Sequence, residues 1–348
     1  MPGTRARAAA YAPLQARSLR RAVSGGLPGP ALPGFLSELK LSVPWGYIAA
    51  KAWGSLQGPP VLCLHGWLDN ANSFDRLIPL LPQTFYYVAM DFGGHGLSSH
   101  HHPGFPYYQQ NFVMEVCRVV TDLKWKRFSL IGHSFGGIIG GIFSYTFPEM
   151  VDKLILLDSS PFLLDSQEIH NLLTYQRRRI EHVFQVEAKQ HKPGKAVSPE
   201  EMLQSFLKNN PQVGEECGKL LLERGTTKVP EGLVMNRDRR LGLPENHIEF
   251  ISKESLNYFC KKIQARILMV KATEGFNYYR QVQEGPVQEA QIYQSMQGIL
   301  KVLKSICKER YHYVEIPGSH YVHMQEPQRV ARIVGPFLEN SRDIQAHL

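Results

Sequence analysis

The sequence predicts an α/β protein, a mostly parallel, doubly wound sheet interrupted by a block of helices. Three features carry that prediction. First, short runs that are apolar on both faces (VLCLH at 61–65, FYYVAMD ending at Asp91, FSLIGH ending at His133 and LILLD ending at Asp158) recur at helix-sized intervals. Second, from 162 to 263 the alternation stops and amphipathic helical spacing takes over. Third, strand patterns resume at RILMVK, 266–271, and YHYVEI, 311–316. Buried strands separated by helices pair in parallel through right-handed crossovers.

Taken in order, the elements begin with ELKLSV, the turn Pro44-Trp45-Gly46 and YIAAKAW before Gly54, a hairpin by alternation and punctuation. The strand at 61–65 stops at Gly66. A helix is predicted over Tyr107 to Lys124, between the strands ending at Asp91 and Ser134. A second spans Gly136 to Phe147 and is stopped by Pro148. The inserted block should hold helices over Asp165 to Lys189, Pro199 to Lys208, Gly214 to Arg224 and Ile248 to Ile263. Pro-Gly, Asn-Asn-Pro and Gly-Leu-Pro separate them. A closing helix is expected over Pro327 to Asn340. The division is then an extension, 1–36, a core of 37–161 and 264–342, and an all-helical insertion, 162–263.

Composition narrows the function classes. The chain has 348 residues, 43% hydrophobic and 20% charged, which suits a globular protein with a sizeable core. No run approaches the ~20 apolar residues of a membrane-spanning helix. The net charge of +8 would suggest nucleic acid. Five arginines (Arg5, Arg7, Arg17, Arg20, Arg21) lie before the first carboxylate, Glu38, however, leaving 34 basic against 31 acidic residues beyond them. So balanced a body gives little support to a phosphate-binding face, and Arg177-Arg178-Arg179 reads as a solvated helix face. Five widely spaced cysteines without a C-x-x-C pair argue against a disulfide framework and a structural zinc site. His100-His101-His102 lies in a Pro/Gly-flanked loop and reads as solvated, since adjacent side chains cannot converge on one ion. No metal or cofactor is expected.

The sharpest chemical signal is Gly132-His133-Ser134-Phe135-Gly136. A strand enters it and a helix leaves it, so Ser134 sits on a strained turn that lifts its hydroxyl above the sheet. The Phe135 amide and the positive end of the following helix lie where an oxyanion would form. His65-Gly66-Trp67 ends another central strand and offers a second amide, that of Trp67. Asp91-Phe92-Gly93-Gly94-His95-Gly96-Leu97-Ser98 reads as a tight structural turn near the site. Trp67, Phe92 and Phe135 predict an apolar acyl pocket.

These motifs, in this order over roughly residues 39 to 340, resemble the capped members of the α/β-hydrolase fold family. The resemblance implies a nucleophile, acid, histidine order. Ser134 is then the nucleophile. His320, seven residues before Pro327 in GSHYVHMQEP, looks like the family's catalytic base, with His323 packed beside it. His65 and His133 resemble framework histidines. Two positions could supply the acid: Asp158, after the strand that follows the nucleophile helix, and Glu274, after RILMVK, where most members carry Asp. Epoxide hydrolases and dehalogenases of this fold use an aspartate nucleophile, so Ser134 implies a serine hydrolase. Its substrate would be a small or fatty acyl ester or thioester, cleaved through an acyl-Ser134 intermediate. The alternative is a catalytically weak or silent binding protein.

Both ends of the chain look like addresses. The Arg-rich, acid-free N-terminal stretch has the composition of a mitochondrial transit peptide or of a disordered extension. Ala346-His347-Leu348 follows the small-basic-Leu pattern read by the peroxisomal import receptor. The resemblance adds a cytoplasmic, perinuclear and peroxisomal setting.

Overall fold

The computed structural model describes residues 36–162, 169–189, 194–243, 251–275 and 287–340. The extension before residue 36 and Ala346-His347-Leu348 lie outside them. The predicted hairpin forms: β1 (Ser37–Val43) pairs antiparallel with β2 (Gly46–Trp53), with Val43 opposite Gly46 across the Pro44-Trp45 turn. The buried runs become β3 (Pro60–Leu64), β4 (Tyr86–Met90), β5 (Phe128–His133) and β6 (Val151–Leu157). Helices α1 (Gln109–Asp122) and α2 (Phe135–Thr146) fall between them.

In the insertion, α3 (Ile169–Glu187), α4 (Pro199–Asn209) and α5 (Glu215–Gly225) are helical as expected. The block is nevertheless not all-helical. Strands β7 (Thr226–Val229) and β8 (Gly232–Met235) form an antiparallel hairpin around Pro230-Glu231. Four-residue strands are too short for alternation to reveal them, although their β-branched residues Thr226, Thr227, Val229 and Val234 fit a pleated surface.

The next helix, α6 (Lys253–Lys262), belongs with the sheet rather than the insertion. Its Leu256 and Cys260 are buried against the same cluster as Leu154 and Ile267. After β9 (Arg266–Glu274) comes α7 (Val287–Cys307), a helix not anticipated from periodicity. Parallel pairing of β9 with β10 (Tyr311–Ser319) demands such a crossover. The chain closes with α8 (Val322–Gln325) and α9 (Pro327–Glu339).

The sheet has eight strands in the order β1-β2-β4-β3-β5-β6-β9-β10, antiparallel at β1/β2 and β2/β4 and parallel elsewhere. Side chains alternate strictly between its faces. Leu62, Leu64, Leu130, Leu154 and Met269 meet α1, α2, α6 and α7, whereas Val61, Cys63, Ile131, Ile155 and Val270 meet α9 and the 71–81 loop. The strand ends of β3, β5 and β6, buried on both sides, converge on one edge. No helix of the described residues is long and apolar enough to cross a membrane, and all five cysteines are free.

Candidate active site

Ser134 caps α2 with φ 50° and ψ −119°, a conformation that non-glycine residues reach only under strain. The turn is this tight because its neighbours are glycines. A Cβ on Gly132 would lie 2.5 Å from the Gly136 carbonyl oxygen, and one on Gly136 would lie 2.1 Å from the Leu64 carbonyl oxygen. The elbow is tied to β6, since the Ser134 N–H donates to Leu157 O (3.2 Å) and the Ser159 hydroxyl donates to Ser134 O (2.5 Å).

His320 lies in the loop after β10. Its Nδ1–H donates to Asp158 Oδ2 at 2.6 Å, which leaves Nε2 as the bare, basic nitrogen. Burial pushes the His320 pKa down, and the Asp158 contact only partly opposes it, so the ring is neutral at neutral pH. Asp158 follows β6 at φ 41°, its N–H donating to Val270 O at 2.8 Å. Burial alone would raise this carboxyl's pKa. The hydrogen bond and charge of His320, together with the Lys271 ammonium bonded to Oδ1, outweigh burial and push it down to about 2. Ala272 N–H donates to the same Oδ1 at 3.1 Å.

The two acid candidates therefore part company. Glu274 is exposed at the end of β9, and Gln212 Nε2–H donates to its backbone carbonyl (3.3 Å). Asp158 takes the place beside His320 because β6 and β10 flank β9 in the sheet and end level with one another.

His133 joins the elbow to the histidine loop. Its ring centroid lies 4.6 Å from that of His320, and its Nε2–H donates to the His320 carbonyl at 3.0 Å. Its Nδ1 faces the buried Asp69 carboxylate at 3.6 Å. Tyr321 O–H donates to the other Asp69 oxygen (3.3 Å). His323 lies against His133 at 4.1 Å between centroids, its ring tilted by 37°, and meets Ser73 Oγ at 2.7 Å. Burial beside two other histidines keeps its pKa well below the ordinary value.

On the oxyanion side, Trp67 follows β3 and Phe135 heads α2, where the helix dipole favours negative charge. His65 holds this corner, with Nε2 accepting from Phe92 N–H (3.0 Å) and Nδ1–H donating to Gly66 O (2.7 Å). Burial lowers its pKa to about 3, so it stays neutral and keeps that tautomer. The expected apolar pocket is not built from these aromatics. Phe92, Phe135 and His95 are fully buried, and with half-buried Trp67 they pack edge to face around Phe112 at 5.0–6.4 Å between centroids. Their rings fill the core beneath the site.

The turn after β4 is structural. Asp91 accepts from Ala71 N–H (2.7 Å) and Leu97 N–H (2.8 Å), while Ser98 Oγ–H donates to Asp91 O (2.7 Å). His100 and His102 are exposed, but His101 is not solvated. It is buried on Glu115 (Nε2 to Oε1, 2.6 Å) and stacks on Tyr107 at 4.4 Å, because Trp45 and Tyr107 close over it. Among the described residues, no group of three or more His, Cys, Asp or Glu could hold a metal ion.

Sequence reasoning missed Lys271 on Asp158, Asp69 behind His133, and Gln212, whose Oε1 accepts from His320 N–H at 3.3 Å. Each acts across a separation of 60 residues or more, and no local motif marks it.

Comparison with known proteins identifies the family. Residues 59–327 match the family model for the α/β hydrolase fold. The mouse serine hydrolase-like protein is 61% identical over 306 residues, 88% of this chain and 96% of its own length. The human serine hydrolase-like protein 2 is 60% identical over 318 residues, 91% and 99% of the two chains. Among solved structures, a hypothetical protein from Pseudomonas aeruginosa superposes with a TM-score of 0.69 at 28% identity, covering 87% of this chain and 99% of its own. The chain belongs to the α/β-hydrolase fold family, among its serine hydrolase-like members.

Proposed function

We propose that the protein cleaves a small or fatty acyl ester or thioester through an acyl-Ser134 intermediate. The observation that carries this reading is the 2.6 Å Asp158–His320 hydrogen bond, which leaves His320 Nε2 unprotonated in the loop that His133 fastens to the Ser134 elbow. In the proposed reaction Nε2 takes the Ser134 proton as Oγ adds to the acyl carbon, and the oxyanion faces the Trp67 and Phe135 amides. Collapse expels the alcohol or thiol, which receives the proton from His320. Water then repeats the sequence, its proton going to Nε2 and the acyl group leaving as a carboxylic acid. Asp158 stays ionised throughout and stabilises the imidazolium.

The alternative, a silent binding protein, was motivated by a doubtful acid, and the buried Asp158 partner weighs against it. A fluorophosphonate probe distinguishes the two. The folded wild type should label on Ser134 and Ser134→Ala should not, whereas an unlabelled, folded wild type would sink the hydrolase reading. For location, we propose peroxisomal import through Ala346-His347-Leu348 from a cytoplasmic, perinuclear pool. Deleting the three residues from an expressed, tagged chain should abolish punctate staining, and mitochondrial staining of the intact chain would favour the Arg-rich N-terminus instead.

A further inference from the structure

A cavity of about 580 Å³ lies where the insertion meets the core. Its walls are the His100–Gly104 loop and Trp45 on the core side, and the end of α3 and the Val234–Arg240 segment on the other. Among the described residues, the cation at its edge has no counterion. Arg237 is half-buried, and its guanidinium has no hydrogen bond or ion pair among the described residues. Burial lowers its pKa, the mark of a charge taken from water without compensation.

The described neighbours do not supply an anion. Asp238, the adjacent carboxylate, is already engaged by Arg240 Nε and Nη2, the Arg240 N–H and the Tyr107 hydroxyl. Arg240 is spent in turn on Asp238 and on the carbonyls of His101, His102 and Phe105. Glu187, the other carboxylate in the lining, makes no hydrogen bond or ion pair with Arg237. The exposed Arg239 adds positive charge to the same wall.

The backbone that carries Arg237 is held on both sides. Asn236 N–H donates to Gly225 O (2.9 Å), His100 Nε2–H donates to Asn236 O (2.8 Å), and Asp238 N–H donates to Gly94 O (2.8 Å). A fixed frame thus sets Arg237, whose charge also reaches the buried His95, in the wall of a cavity whose remaining surface includes Trp45, Val186, Val234 and Met235. A planar guanidinium of this kind matches a carboxylate or phosphate, and the apolar wall suits the body that bears it.

We propose that this cavity is a binding site for the carboxylate or phosphate group of a small molecule, with Arg237 as its anchor. The proposal does not rest on the reading given to Ser134. An anion held there would bridge the insertion and the core.

The test uses the full chain with inorganic phosphate, pyrophosphate and citrate as probes, at constant ionic strength set by chloride. At tenfold over its dissociation constant, a bound probe raises the melting temperature by about 2 °C. The expected result is such a rise for the wild type with at least one probe, saturating with concentration, and none for Arg237→Gln. Without any anion, Arg237→Gln should melt at or above the wild-type temperature, because it removes an unpaired buried charge. Arg237→Lys, which keeps the charge but not the planar fork, should respond more weakly. Absence of any saturable rise in the wild type would overturn the proposal, as would an equal rise in Arg237→Gln. So would a marked loss of stability in anion-free Arg237→Gln, since Arg237 would then be a structural residue. Fluorophosphonate labelling of Ser134, run in parallel, should be the same in wild type and Arg237→Gln.

Discussion

The two ends of the site are built by different physics. On the core side, Ser134, Asp158 and His320 stand at strand ends, and each is placed by its own few residues: a strained elbow, a strand terminus, a loop before a helix. On the insertion side, buried charges reach across the chain. Arg224 of α5 donates from Nε to Asp91 Oδ2 (2.8 Å) and forks onto Glu38 (2.7 and 3.1 Å), separations of 133 and 186 residues. Arg240 clamps the 101–105 loop in the same manner. The difference teaches that Ser134, Asp158 and His320 are each seated by local motifs, with strand order bringing the last two together, while the insertion is fastened by long-range contacts of buried arginines. Damage to the first should remove activity and spare the fold; damage to the second should do the reverse.

Asp158→Asn is the largest test of that contrast. An amide neither fixes the His320 tautomer nor stabilises the imidazolium, so the fluorophosphonate labelling rate should fall by about 10³–10⁴-fold in a protein that still folds. Glu274→Gln, on the solvent side of β9, should label within about twofold of wild type. Equal losses in the two variants would dissolve the distinction drawn between the acids.

The reverse case is Arg224→Met. Arg224 and Asp91 have side chains 4% and 0% exposed, so truncating one leaves an uncompensated buried carboxylate. Such a break costs about 3–5 kcal/mol. Urea unfolding followed by circular dichroism should show that loss, while labelling at low temperature and no denaturant stays near the wild-type rate. A labelling defect larger than the stability defect would mean that the clamp also shapes the catalytic strand ends.

Acid should act on the core side through Asp158. Its folded pKa, about 2, lies below the ordinary 3.8, so the folded state binds this proton less readily than the unfolded one. The resulting stability, on the order of 2 kcal/mol, is fully present above about pH 4 and is lost as pH falls through about 2. The stability difference between wild type and Asp158→Asn, measured by urea midpoints from pH 7 downward, should shrink over that window. The labelling rate should decline at a midpoint below 6.5, since His320 must stay neutral and burial depresses its pKa.

Legibility followed the same divide. Ser134 was visible because five consecutive residues and a flanking strand and helix state the elbow's geometry outright, and His320 because its loop runs from a strand to Pro327. The acid stayed two-fold in the sequence because the choice depends on strand order: only with β6 beside β9 and β9 beside β10 does Asp158 reach His320. Phe92 and Phe135 were misjudged as pocket walls because adjacency to a nucleophile says nothing about which way a ring turns. The β7–β8 hairpin fell below the length at which alternation is detectable, and His101 was hidden because its partner Glu115 lies on α1, outside the loop. Nothing local distinguishes Arg224 from the surface arginines of α3, among which Arg177 is 80% exposed and pairs with Glu181.

The two regions touch at Gln212, where the smallest effect is expected. Its Oε1 accepts from His320 N–H at 3.3 Å, and its backbone carbonyl accepts from Ser319 Oγ–H (3.0 Å) and Gln325 Nε2–H (2.9 Å). Gln212→Ala removes the first of these contacts and the Nε2–H bond to the Glu274 carbonyl, and leaves the other two because the Gln212 carbonyl remains. A solvent-accessible neutral hydrogen bond contributes about 0.5–1 kcal/mol. If the contact with His320 steadies the histidine loop, the labelling rate should drop by about two- to fivefold with the urea midpoint almost unmoved. A shifted midpoint at an unchanged rate would instead make Gln212 another fastening of the insertion, and the seam between the two regions would then lie closer to His320 than the strand ends suggest.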